Sequence, residues 1–175
     1  MKRGCLVVWF TSMMLLLPGF SAQAANGEDV KIDEKWLLGR VEWLWLPALE
    51  ESVKARIDSG AKTSSLSATE IEEFEREGEP WIRFNFHHER HSARLKVPLS
   101  RYVKIRQANS KKADRRPVVV LPVQVGGLVK EVEFTLKDRT RMLYPVLLGR
   151  EFMSDDVLID PSRRFVQPRF EPVEQ

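Results

Sequence analysis

Cysteine is nearly absent from these 175 residues, and the one present, Cys5, stands almost at the start. The rest of the chain has no disulfide framework and no thiolate metal site, so it must rest on its own apolar core. Histidine is scarce too. All three histidines fall within His87-His88-Glu89-Arg90-His91. The order His-Glu-x-x-His, which sets two imidazoles on one helix face in zinc hydrolases, does not occur. Nor is one sign of charge in excess, since 28 Lys and Arg meet 25 Asp and Glu for a net charge of +3. That balance gives no argument for a nucleic-acid partner. A complete phosphate loop is missing as well: Gly60-Ala61-Lys62-Thr63 has the end of one without the earlier glycine or a βαβ setting.

What is present begins with a leader pattern. Lys2 and Arg3 precede an apolar run from Cys5 to Leu17, Pro18-Gly19 closes it, and Ala22-Gln23-Ala24 is a small-x-small cleavage site. This predicts a secretory signal peptide over residues 1–24. The run is short for a membrane span, and Cys5 lies at its start, where it does not serve as a lipid anchor. Cleavage removes Lys2 and Arg3 and no acidic residue, leaving 151 residues with a net charge of +1. No second long apolar run follows, so a soluble mature chain is expected, with a flexible lead-in at 25–35, one domain over 36–170 and a tail at 171–175.

The domain reads as all-β. Val41, Trp43 and Trp45 alternate with Glu42 and Leu44, and Val53, Ala55 and Ile57 alternate with Lys54, Arg56 and Asp58. Period two marks a half-buried strand, and it puts Asp58 on the polar face where the strand enters the Ser59-Gly60 turn. Ile82, Phe84 and Phe86 repeat the pattern, as do Ala93, Leu95 and Val97. Val118 to Val125 and Leu128 to Leu136 flank Gly126-Gly127, a two-residue hairpin signal. Two further short strands fall at Tyr144 to Leu148 and Val157 to Ile159. Short helices are expected around Arg150 to Met153 and in the acidic stretch Thr69 to Glu77. Many short strands with frequent turns predict a closed or sandwiched β domain.

The segment that carries chemistry is Ala55-Arg56-Ile57-Asp58-Ser59-Gly60-Ala61. Asp-Ser-Gly alone is ordinary turn chemistry. It gains weight from Val146-Leu147-Leu148-Gly149-Arg150 near the other end of the domain. Together these resemble the retropepsin pattern, an Asp-Ser/Thr-Gly-Ala turn with an apolar-apolar-Gly-Arg/Asn strand crossing beside it. The resemblance is closest to the bacterial retropepsin-like proteins long labelled "putative ATP-dependent zinc protease". It is carried further by Leu38-Gly39-Arg40-Val41-Glu42-Trp43, Lys62-Thr63-Ser64-Ser65-Leu66, Arg116-Pro117-Val118, Leu136-Lys137-Asp138-Arg139, Tyr144-Pro145 and Asp160-Pro161-Ser162, over about residues 37–168.

The resemblance implies an acid-protease β-barrel and an aspartic endopeptidase that needs no cofactor and no metal. Such chemistry requires two carboxylates sharing one proton. This chain has one suitable motif, because Asp138-Arg139-Thr140 and Asp160-Pro161-Ser162 lack the glycine. A homodimer is therefore expected to bring Asp58 to its counterpart. In the family's terms Ser59 makes hydroxyl contacts across the dimer, and Gly60 turns its N–H groups toward the carboxylate. Ala61, Thr63, Gly149 and Arg150 support the loop. The expected setting is the periplasm of a Gram-negative-type cell, with a peptide or protein substrate. A non-catalytic module partnering an envelope membrane protein is the alternative. The glutamates at 70, 72, 73, 75, 77 and 79, and the cations between Arg101 and Arg116, read as solvated faces or as sites for pairing or for an acidic substrate. The tryptophans at 36, 43 and 45 read as core or interface.

Overall fold

The structure is a computed structural model that describes residues 27–88, 91–105 and 114–172. The expected signal peptide and the last residues of the tail lie outside these. The described residues form β1 (Lys31–Ile32), β2 (Lys35–Gly39), β3 (Val41–Leu46), β4 (Glu51–Ile57), β5 (Ser64–Ser67), β6 (Thr69–Arg76) and β7 (Glu79–His88). After these come β8 (His91–Pro98), β9 (Arg101–Ile105), β10 (Asp114–Val125), β11 (Leu128–Lys137), β12 (Val146–Leu148) and β13 (Val157–Asp160). A four-residue helix, α1 (Arg150–Met153), and one 3-10 turn at Pro47–Leu49 complete them.

Strands β11, β5, β12, β4, β3 and β10 pair in that order, and β10 pairs back onto β11, closing a six-stranded barrel with β9 added beside β10. The inward residues of each strand meet in one core, including Leu44, Val53, Ala55, Ile57, Leu66, Val119, Leu121, Phe134, Val146 and Leu148. Closure leaves the barrel's own strands without open edges. Gly126, at φ +56°, makes the tight β10–β11 turn that the glycine pair predicts.

Two smaller sheets flank the barrel, β1-β2-β13 and β6-β7-β8. The second lays Ile82, Phe84, Phe86 and Leu95 into the same core. It accounts for much of the sequence between the aspartate turn and Gly149.

Three expectations need correction. The acidic stretch at 69–77 is strand β6, not a helix. Within it Glu73 and Glu75 stand two residues apart, and cations and polar groups of neighbouring strands meet it. Arg83 Nε donates to Glu72 at 2.5 Å and Asn85 Nδ2 to Glu70 at 2.7 Å, while Tyr102 Oη donates to Glu73 at 2.5 Å. The second helical turn lies instead at Pro47–Leu49. Residues 27–35 are tied down rather than loose: Asp29 accepts the Gly127 N–H (2.8 Å), and Gln167 pairs with both the N–H and the C=O of Val30.

Glu42 is the third. Alternation puts it on the polar face, yet it is fully buried. Its carboxylate accepts the backbone N–H groups of Gly39 (2.5 Å), Val166 (3.0 Å) and Gln167 (3.2 Å). The segment after β13 is thereby fastened over β2 and β3, helped by Phe165 N–H donating to Val41 O at 2.7 Å. Trp43, with Phe165 stacked on it at 5.1 Å, and Trp45, against Phe170, hold the same segment from the outer face.

Glu42→Ala should lower the unfolding free energy by roughly 2–4 kcal/mol, since three buried N–H groups lose their acceptor. Burial pushes the Glu42 carboxyl above its ordinary value, against the pull of those three hydrogen bonds. A raised carboxyl favours folding fully below the unfolded-state value and loses that contribution as pH rises through the folded one. Urea melts from about pH 4 upward should show the wild type losing stability relative to Glu42→Gln as pH increases.

Candidate active site

Strand β4 carries Asp58 out of the barrel wall. Ala55 and Ile57 face the core, which leaves Arg56 and Asp58 on the other face by simple alternation. Beside β4 runs β12 in parallel, Ala55 opposite Val146 and Ile57 opposite Leu148. The ladder continues one step beyond the strand, where Asp58 N–H donates to Leu148 O at 2.9 Å. The chain then reverses, with Ala61 N–H reaching back to Asp58 O at 3.2 Å. Gly60 N–H donates to Asp58 Oδ1 at 3.0 Å and fixes the plane of the carboxylate.

Asp138 and Asp160 also accept the N–H two residues on, but each takes a hydroxyl as well, from Thr140 (2.7 Å) and Ser162 (2.6 Å). Those hydrogen bonds hold both carboxyls below the ordinary aspartate value. They are turn-forming groups. At Asp58 the corresponding residue is glycine, without a hydroxyl, and the carboxylate is 27% exposed. Its Oδ2 lies 4.0 Å from Arg56 Nε.

The turn is braced by the segment after β12. Arg150 Nη1 donates to Ser59 O at 2.8 Å and to Gly60 O at 3.0 Å, and its backbone N–H donates to Ala61 O at 2.9 Å. Glu151 N–H bonds Lys62 O, and Gly149 N–H donates to Ser64 Oγ at 3.1 Å. A Cβ at position 149 would lie 2.6 Å from both the carbonyl carbon and oxygen of Thr63. Only glycine permits that approach. The structure thus brings together Asp58, Ser59, Gly60, Ala61, Thr63, Gly149 and Arg150 in one unit, as the sequence pattern predicts.

Beside this turn opens a cleft of about 550 Å³. Ala61, Lys62 and Thr63 form its rim next to Asp58, and Val103, Ile105 and Leu147 give it an apolar wall. Its charged lining is cationic throughout: Lys62, Lys104, Arg116, Lys137 and Arg139. Arg116 and Arg139 are each only 9% exposed. Burial pushes the Arg139 guanidinium down, as do the Arg116 and Arg56 charges, while the Asp58 carboxylate pulls it the other way. Sequence reading used Arg56, Ser65, Arg116 and Arg139 only as part of the family motifs, and Arg116 also as one of a basic run. For Arg56 a signal exists, two residues before Asp58 on the same strand face. The arginines of the cleft meet only through the fold.

Of the histidine group, Glu89, Arg90 and the side chain of His91 lie outside the described residues. So do Arg106, Lys111 and Lys112 of the basic run. Among the described residues no three His, Cys, Asp or Glu side chains cluster as a metal site would require.

Comparison with known proteins agrees with this geometry. The model of the RimB-like family, described as retropepsin-like aspartic endopeptidase RimB, matches residues 37–170. A probable alpha-L-glutamate ligase of Shewanella pealeana is 42% identical over 140 residues, and a namesake from Desulfotalea psychrophila is 39% identical over 132. These matches cover 76% and 73% of this chain but only 30% and 28% of the relatives' length. The crystal structure of a Legionella pneumophila protein of unknown function (DUF785) is similar at a TM-score of 0.66 and 33% identity, covering 74% of this chain and 95% of that one.

Gly149→Ala should destabilise the fold by roughly 1–3 kcal/mol, because the obstructing atoms are backbone. Arg150→Ala should leave global stability within about 1 kcal/mol of wild type, since its guanidinium contacts are exposed. It should nevertheless speed amide exchange at Gly60 and Ala61, read by hydrogen exchange.

Proposed function

The chain belongs to the RimB-like family of retropepsin-like aspartic endopeptidases, and from that premise we propose that it hydrolyses peptide bonds with a dyad of Asp58 and the Asp58 of a second copy. The observation that carries this reading is the Asp58 turn. One carboxylate oxygen is fixed by the Gly60 N–H, the turn is clamped by Arg150, and the carboxylate still reaches solvent.

The reaction uses the pair in complementary protonation states. The ionised carboxylate takes a proton from water as the water oxygen attacks the peptide carbonyl carbon. The protonated carboxyl gives its proton to the carbonyl oxygen, and a gem-diol forms. A proton then passes to the peptide nitrogen, the C–N bond breaks, and a carboxylic acid and an amine leave. Ser59, next to each aspartate, joins the two turns across the dimer axis.

The substrate class is a peptide bearing acidic side chains. The cationic cleft beside the turn supports this, as does the similarity to proteins named for glutamate ligation. Ligation itself is the named activity of much longer relatives and is not carried over. The leader pattern at residues 1–24 supports action in the periplasm.

The test is digestion of glutamate-rich, neutral and basic peptide libraries, read by mass spectrometry from about pH 4 to 7.5, with and without a chelator. Cleavage within acidic peptides is expected, unaffected by the chelator and reduced at least roughly a thousandfold in Asp58→Asn. Specific activity should fall on dilution as the dimer dissociates. Cleavage that persists in Asp58→Asn would sink the assignment. Folded, concentrated wild type that cleaves nothing would favour a non-catalytic binding module.

A further inference from the structure

We propose that the two copies of the dimer are held apart by their own charge, and that salt lets them close by screening a collar of cations around Asp58. This rests on the reading of Asp58 as half of a dyad, and adds to it what controls assembly.

The collar is built by the residues that hold the turn. Arg56 Nε stands 4.0 Å from Asp58 Oδ2, and the Arg56 side chain is 58% exposed. Arg150 Nη1 donates to Ser59 O and Gly60 O. Lys62, just past the turn, is 76% exposed. Arg40 lies one strand over. Its carbonyl accepts the Ile57 N–H at 3.1 Å, and its Nη1 donates to Pro161 O at 3.0 Å and Ser162 O at 3.1 Å.

Two carboxylates stand among these four cations, and both are engaged at home. Asp58 accepts the Gly60 N–H, and Glu151 lies 3.7 Å from Lys62. Behind them Asp160 is taken up by Ser162 and by the charge of Arg163. The guanidinium groups of Arg40 and Arg150 meet carbonyl oxygens, which orient them without cancelling their charge. The Arg56–Asp58 pair is long and bathed in water, so it neutralises little. Four cations against two carboxylates leave this face positive, on a chain that is otherwise near balance.

A two-fold axis that brings Asp58 to its counterpart sets each collar against an identical one, because an isologous interface repeats one surface on both sides. Like charges so placed oppose association. Dissolved ions relieve the opposition: the Debye length falls from about 30 Å at 0.01 M salt to about 3 Å at 1 M. At low ionic strength the chain is thus a monomer without a dyad. Activity appears as screening lets the two turns meet.

The test is sedimentation velocity of the wild-type protein in sodium chloride from about 0.01 to 1 M. The dimer dissociation constant should fall at least about tenfold across that range. Arg56→Gln and Lys62→Gln should each tighten the low-salt dimer about threefold or more and flatten its salt dependence. Arg56→Lys, which keeps the charge, should follow wild type, as should Arg76→Gln on the outer sheet. Apolar contacts also gain strength in some salts, so the variants decide between the two causes. A dimer that loosens as salt is added would overturn the proposal, as would charge variants that keep the wild-type salt slope. Turnover surviving in Asp58→Asn, or turnover by a chain that stays monomeric at every salt concentration, removes the dyad and this proposal with it. Activity that needs both Asp58 and a dimer, with assembly best at low salt, leaves the dyad standing and removes only the charge gate.

Discussion

The near-contact of two backbones, Gly149 against Thr63, sets the geometry on which the candidate site depends. The turn after Asp58 has few intrinsic reasons to hold one shape, being a run of small residues at a strand end. It is held because β12 lies beside β4 and then delivers Gly149 and Arg150 against the turn. The Gly149 N–H meets Ser64, the Arg150 N–H meets Ala61, and the Arg150 guanidinium spans two carbonyls. Those carbonyls lie at an exposed loop, where water would otherwise compete for them and leave the turn less defined. A single nitrogen of Arg150, Nη1, satisfies both.

The barrel supplies the rigidity behind this contact. Closure through the β10–β11 pairing fixes where β4 and β12 emerge, and the β6-β7-β8 sheet thickens the core without touching that pairing order. Chain added between the two halves of the site is thus absorbed as a separate layer. Glu42 does for the C-terminal segment what Arg150 does for the turn. One side chain gathers several backbone groups that no strand partner satisfies, and the cost is a carboxylate held out of water.

Much of this was legible before any coordinates. The alternation of Val53, Ala55 and Ile57 placed Asp58 correctly at a strand end, and the glycine pair marked the β10–β11 turn. The two motifs near opposite ends of the domain proved to be one unit. What stayed hidden has physical causes. Glu42 sits at a polar position of an alternating strand, and its burial follows from a segment 124 residues away folding over it. Glutamates are good helix formers in isolation, so the acidic run suggested a helix, while its later members already carried the period of a strand. Arg116 and Arg139 are ordinary loop and strand arginines in sequence. They meet only because β10 and the segment after β11 converge on the cleft.

The order of synthesis gives the brace at Gly149 and Arg150 a further meaning. Asp58 is made when about a third of the chain exists, whereas the residues that shape its turn arrive some ninety positions later, and the segment that Glu42 fastens later still. Contacts this distant along the chain form late in folding. An unfinished chain therefore carries the aspartate without the brace around its turn. The turn takes its shape only once Gly149 and Arg150 are in place, so the fold itself times when the carboxylate acquires its setting.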